Sequence, residues 1–180
     1  MEQIIDQIQG TLDAGFPYAA LMLALAIPDI CSNLELAPGA KVAGEQKRYM
    51  RWYNKHLLPS LEKALSAEDC WSLRCGVVHT GTFGNKNQKF ERVFFYVDSE
   101  FGFLRMDGNS VNGVTYGRTI GIGVKFFIGI VVDAVRKWEA DTGHHKHVQA
   151  NMKRLVSYYP NGLEPIHPGV FIGGNGPCIA

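Results

Sequence analysis

Hydrophobic positions recur along this chain at the spacing of buried helices, and one stretch alternates instead. Ile4, Ile5, Ile8 and Leu12 share one side of a helix predicted from Met1 to Leu12, with polar residues opposite. Gly15 to Pro17 punctuates the chain, and Ala19 to Leu34 reads as a second helix. Its first half is almost wholly apolar, which makes it central. Pro28 is expected to kink it, because proline removes an intrahelical hydrogen bond and crowds the preceding turn. Pro38 and Gly39 mark residues 36–44 as a loop. Helical spacing returns from Gly44 to Leu58 through Tyr49, Trp52, Tyr53, His56 and Leu57, and Pro59 is its expected stop. Leu61 and Leu65 continue the apolar pattern. Ser66 is placed to cap a fourth helix, with Asp69 as the acidic partner of a capping box. That helix carries Trp71, Leu73, Val77 and Val78 and ends around Gly81.

The pattern changes over residues 89–116. Phe90 to Val97 is rich in aromatic and β-branched residues, while Asp107-Gly108 and Asn112-Gly113 are turn signals. Two or three short strands are predicted there, as a hairpin attached to the bundle. Thr119 to Thr142 is predicted as a long helix that includes the most apolar run, Ile120 to Val132. His144 to Tyr159 is the last predicted helix, through Val148, Met152, Leu155 and Tyr159. The proline- and glycine-rich tail, residues 160–180, is expected to be irregular. The fold class is therefore mainly α: a bundle of five or six helices with a small β-hairpin insertion, forming one domain over residues 1–180.

Composition agrees with a folded domain, since 46% of the 180 residues are hydrophobic and 19% are charged. A formal net charge of +1 argues against bulk attraction to nucleic acid or anionic membrane, although a local basic patch is compatible with it. Cys31, Cys70, Cys75 and Cys178 form no C-x-x-C pair, so free thiols in a reducing compartment are expected. No basic segment followed by an apolar stretch opens the chain, and Lys125 interrupts the most apolar run. No signal peptide and no membrane span are expected, which gives a cytoplasmic location.

Candidate chemistry lies in W-S-L-R-C-G-V-V-H-T-G, residues 71–81, which sets Arg74 and His79 five positions apart. An arginine offers a permanent, forked cation to a phosphate and steadies charge in a transition state. A histidine exchanges protons near neutral pH. Together they suit cleavage of RNA through its own 2′-hydroxyl, a route that leaves a cyclic phosphate and calls for no metal or cofactor. On an ideal helix five positions differ by about 140° in direction and about 7.5 Å along the axis. The two side chains are thus expected to meet through local unwinding or across a symmetry-related copy. A purely structural alternative pairs Arg74 with an acidic residue and rests His79 at the helix end.

The segment L-R-C-G-V-V-H-T-G resembles the motif of the HEPN superfamily, helical bundles that include many RNA-cleaving toxins and defence nucleases. Their pattern is an arginine, four to six residues, then a histidine; Arg74 and His79 take those places. The run L-A-L-A-I-P-D-I-C, Leu23 to Cys31, resembles a core helix that precedes the motif in some bacterial members. The resemblance implies a metal-independent endoribonuclease, a homodimer with two motifs in one cleft, RNA as substrate and an antitoxin or other protein as partner. Many members carry asparagine or aspartate after the arginine, where this chain has Cys75. Non-catalytic relatives exist, so a dimerising module that binds a protein or a nucleotide is the second expectation.

Other residues carry less. Asp29 follows Pro28 and either orients Arg74 or faces water. Glu45, Lys47, Arg48 and Arg51 read as a solvated helix face. His144, His145 and His147 read as a solvent-facing cluster near a helix start, because adjacent histidines diverge on a helix and zinc needs convergent ligands. G-I-G at 121–123 lacks the third glycine of a nucleotide fingerprint, and G-G-N-G-P at 173–177 lacks a lysine. Phe94 to Tyr96 reads as alternating core and cross-strand packing, with base stacking as the other use of such rings.

Overall fold

The computed structural model describes the chain except for residues 41–43, 62–63, 84–89, 98–101, 107, 109, 116 and 164–176. The fold is mainly α with a small β insertion. Helix α1 spans Glu2–Asp13 and buries Ile5 and Ile8. Helix α2, Pro17–Leu34, is the central one: α1, the helices after it and the C-terminal helix all pack on it. It runs through Pro28 to Leu34 and buries Leu21, Ala24, Leu25, Ile27, Cys31 and Leu34. By length and composition α2 is apolar enough to cross a membrane, yet 50% of its apolar window is buried inside the protein. A core helix has this character for a different reason, contact with other helices on several sides.

Helix α3 spans Glu45–His56, and Pro59 follows it as expected. Helix α4 covers Ala67–Thr80. Its cap is the predicted Ser66, whose Oγ accepts the Asp69 N–H at 3.2 Å and donates to the Asp69 carboxylate at 2.5 Å. Gly81, at φ 68°, takes the left-handed conformation that ends the helix. The four cysteines are free thiols, with Cys31 and Cys70 buried.

The strand region is larger than predicted. Strands β1 (Arg92–Tyr96), β2 (Phe103–Met106) and β5 (Thr119–Gly123) form a sheet in the order β1-β5-β2, with β1 parallel and β2 antiparallel to β5. Strands β3 (Ser110–Val111) and β4 (Val114–Thr115) form the predicted hairpin. Asn112 and Gly113 turn it with φ of 51° and 78°, the conformation an Asn-Gly pair adopts at low cost. Thr119 to Gly123 is thus strand and not the start of the long helix; α5 occupies Val124–Thr142. All five residues of β5 are buried, and a buried strand and a buried helix both read as unbroken apolar sequence.

Two further corrections concern the C-terminal part. The last helix, α6, is limited to Lys146–Met152, because Tyr158–Tyr159 forms β6 and pairs with β7, Cys178–Ile179. The tail is therefore not wholly irregular. Its G-G-N-G-P segment lies mostly outside the described residues. Asn151 of α6 donates to the carbonyls of Leu34 and Leu36 at 3.0 and 2.9 Å, satisfying acceptors that the end of α2 leaves open.

Candidate functional site

Arg74 and His79 meet within one chain. Arg74 Nη1 lies 3.1 Å from His79 Nε2, on a helix that continues unbroken to Thr80. The expectation that unwinding or a second copy was needed is corrected. Side chains on a helix lean toward its N-terminus, so His79 reaches back over the preceding turn while the long arginine side chain spans the rest.

The rest of the site is built around the guanidinium. Asp29 Oδ2, from α2, lies 2.6 Å from Arg74 Nε. Neither atom has another polar partner among the described residues, so each depends on the other. Of the two readings of Asp29, the one that orients Arg74 describes the structure. Trp71, one turn before Arg74, sets its ring centroid 5.1 Å from the guanidinium carbon. Tyr49 of α3 meets the Trp71 ring edge-on at 5.1 Å. Its buried hydroxyl donates to the Leu25 carbonyl at 3.2 Å and lies 3.1 Å from Cys70 Sγ. Leu25 is one turn before Asp29 on α2 and Cys70 one turn before Arg74 on α4, so Tyr49 ties the two helices of the site together.

Electrostatics follow from this packing. Burial raises the Asp29 pKa above the usual carboxylate value, and Arg74 offsets part of that effect. Burial opposes the charge of Arg74, but Asp29 and Cys75 outweigh it and raise the arginine pKa. The guanidinium is held as a cation. His79 is exposed in the last turn of α4, and Val78 beside it is 41% exposed.

An arginine, a histidine, a carboxylate and an aromatic ring in one shallow site can bind an anion and move a proton. The sequence did not single out Trp71 or Tyr49 as part of it. The W-x-x-R spacing was a legible signal for the first, since positions three apart adjoin on a helix. Tyr49 lies on another helix and left no such signal.

The remaining candidates fall elsewhere. Glu45, Lys47 and Arg51 are exposed, and Arg48 is half-buried. His144 and His145 are exposed at the start of α6, and His145 stacks on His147 at 5.6 Å. Among the described residues no group of three or more histidine, cysteine or acidic side chains is arranged to hold a metal ion. A cleft of about 300 Å³ lies between the end of α3 and α5, lined by Lys55, His56, Ser60, Asp133, Lys137 and Asp141. Neither Arg74, His79 nor any strand residue lines it, so it is separate from the Arg74/His79 site.

Comparison with known proteins brings no match to this chain from family models, curated proteins or solved structures. The HEPN resemblance accordingly rests on the residues already named.

Proposed function

We propose that this protein is a dimeric, metal-independent endoribonuclease of the HEPN kind, acting in the cytoplasm, with His79 moving protons and Arg74 holding the scissile phosphate. The observation that carries the reading is the contact between Arg74 Nη1 and His79 Nε2 at 3.1 Å. Arginine only donates, so Nε2 presents a lone pair and the neutral imidazole carries its proton on Nδ1. A phosphate is a stronger, bidentate partner for the guanidinium. Once Arg74 turns to it, Nε2 is free to take the proton of the neighbouring 2′-hydroxyl. The 2′-oxygen then bonds to phosphorus, the bond to the 5′-oxygen breaks, and a histidinium returns a proton to that leaving oxygen. The products are a 2′,3′-cyclic phosphate and a 5′-hydroxyl, and DNA is spared.

The second copy is assigned to the apolar surface of α2 and α4. Leu23 on α2 and Val78 on α4 are 39% and 41% exposed, and Met22, Ile30, Trp71 and Cys75 on these helices are half-buried. Two copies joined here bring two Arg74/His79 pairs into one cleft. One observation favours the second reading, a non-catalytic dimerising module for a protein or nucleotide: Asp29 already occupies Arg74 Nε at 2.6 Å.

The test incubates purified protein with single-stranded RNA in chelator, beside the His79→Ala and Leu23→Asp variants. Wild type is expected to leave cyclic-phosphate ends, His79→Ala to cut about 10²–10⁴-fold more slowly, and Leu23→Asp to be monomeric and slow. Negligible cleavage by folded, inhibitor-free wild type and His79→Ala alike decides for the second reading.

A further inference from the structure

The sheet has two faces, and its register assigns each residue to one. Val93, Phe95, Ile120 and Ile122 face the core, where Phe95 meets Phe127 of α5 edge-on at 5.8 Å. By alternation, Arg92, Phe94 and Tyr96 of β1 take the outer face, opposite Thr119, Gly121 and Gly123 of β5. Leu104 and Met106 of β2 complete it, paired with Gly121 and Thr119. We propose that this outer face is a stacking platform for the unpaired bases of single-stranded RNA. The inference rests on the ribonuclease reading and names the form of its substrate.

Three observations carry it. First, the central strand lacks side chains where the rings need room. Phe94 and Tyr96 lie edge to face at 4.9 Å over Gly121. A Cβ on Gly121 would stand 2.6 Å from Tyr96 Cε2 and 2.7 Å from Phe94 Cζ, so glycine is required for the rings to settle there. Second, the face offers one cation and an open apolar side chain beside the rings. Arg92 is exposed at one end of the face, none of the eight named positions is acidic, and Leu104 is 45% exposed beside the rings. Aromatic faces with a flanking arginine bind bases and phosphates together, without regard to sequence. Third, the strand that carries the rings is tied to the helix of the cleavage site. Phe83, just beyond the end of α4, packs at 5.6 Å on Phe95, on the core face of β1, and so joins this strand to the helix end that carries His79.

The test uses full-length His79→Ala protein, which keeps RNA intact, and a short labelled oligouridylate. Phe94→Ala/Tyr96→Ala on that background is expected to bind at least about tenfold more weakly. Arg92→Glu, at an exposed position that leaves the fold alone, is expected to weaken binding and flatten its salt dependence. RNA carrying 5-iodouridine is expected to photo-crosslink to Phe94 or Tyr96, a readout independent of variant folding. Unchanged binding in both variants, or crosslinks mapping away from β1 and β2, overturns the platform. The two readings separate cleanly: intact cleavage with those negative results leaves the ribonuclease standing, and crosslinking at β1 without wild-type cleavage leaves an RNA-binding sheet and no nuclease.

Discussion

Arg74 is gripped by Asp29 on one side and Trp71 on another, with Tyr49 buttressing the ring, whereas His79, further along the same helix, is exposed and reaches back to Arg74. The first half of the site belongs to the folded bundle; the second is a side chain resting on its surface. Substitution at Arg74 therefore changes structure and chemistry together, and substitution at His79 changes chemistry alone. The comparison predicts different signatures for the two alanine variants. Both are expected to lose cleavage. His79→Ala is expected to keep wild-type stability to within about 0.5 kcal/mol, as surface changes do. Arg74→Ala is expected to lose about 1–3 kcal/mol in urea unfolding, because Asp29 is left half-buried without its partner. Arg74→Lys is expected to regain stability but little cleavage, since an ammonium lacks the bidentate fork. Equal stability for the two alanine variants would break the distinction.

That difference also explains what could be read from the sequence. The helices α1 to α4 follow from periodicity, and Ser66 and Gly81 marked the ends of α4 because capping chemistry is local. The Asn112-Gly113 turn was legible for the same reason. Strand β5 was not, because every residue from Thr119 to Gly123 is buried, the outward ones being mostly glycine, with Gly121 beneath neighbouring rings, and it runs straight into α5, so no polar alternation separates the two. In the site, the residue types at Arg74 and His79 carried the chemistry, and Asp29 was visible as a charge in an apolar stretch. Their meeting was not visible, since it depends on the lean of side chains and the length of an arginine. Tyr49 was hidden altogether: its role comes from the packing of α3 against α2 and α4.

Tyr49 sharpens the comparison on a smaller scale. Its hydroxyl contributes two contacts below the anchored half and none at His79. Tyr49→Phe keeps the ring against Trp71 and removes those contacts. A loss of about 1 kcal/mol in thermal or urea unfolding is expected, with a small drop in cleavage. A large drop in cleavage at unchanged stability would mean that Tyr49 sets the position of Arg74 and contributes little to the fold.

The smallest effect is a pH dependence that follows from Asp29. Burial raises its pKa above the ordinary 3.8, and Arg74 offsets only part of this. The folded chain therefore holds this proton to higher pH than the unfolded chain does. Its contribution to stability is full below the unfolded value and is lost as pH rises through the folded value. Wild-type stability, measured relative to Asp29→Asn by urea unfolding at a series of acid pH values, is expected to decline as pH rises above the ordinary value of 3.8 and through the raised folded value. Over the same interval the carboxylate forms and takes hold of Arg74. The opposite slope would show that the attraction of Arg74 outweighs burial. Arg74 would then be committed to the ion pair before any phosphate arrives, and the site would fit a structural joint between α2 and α4 better than a nuclease.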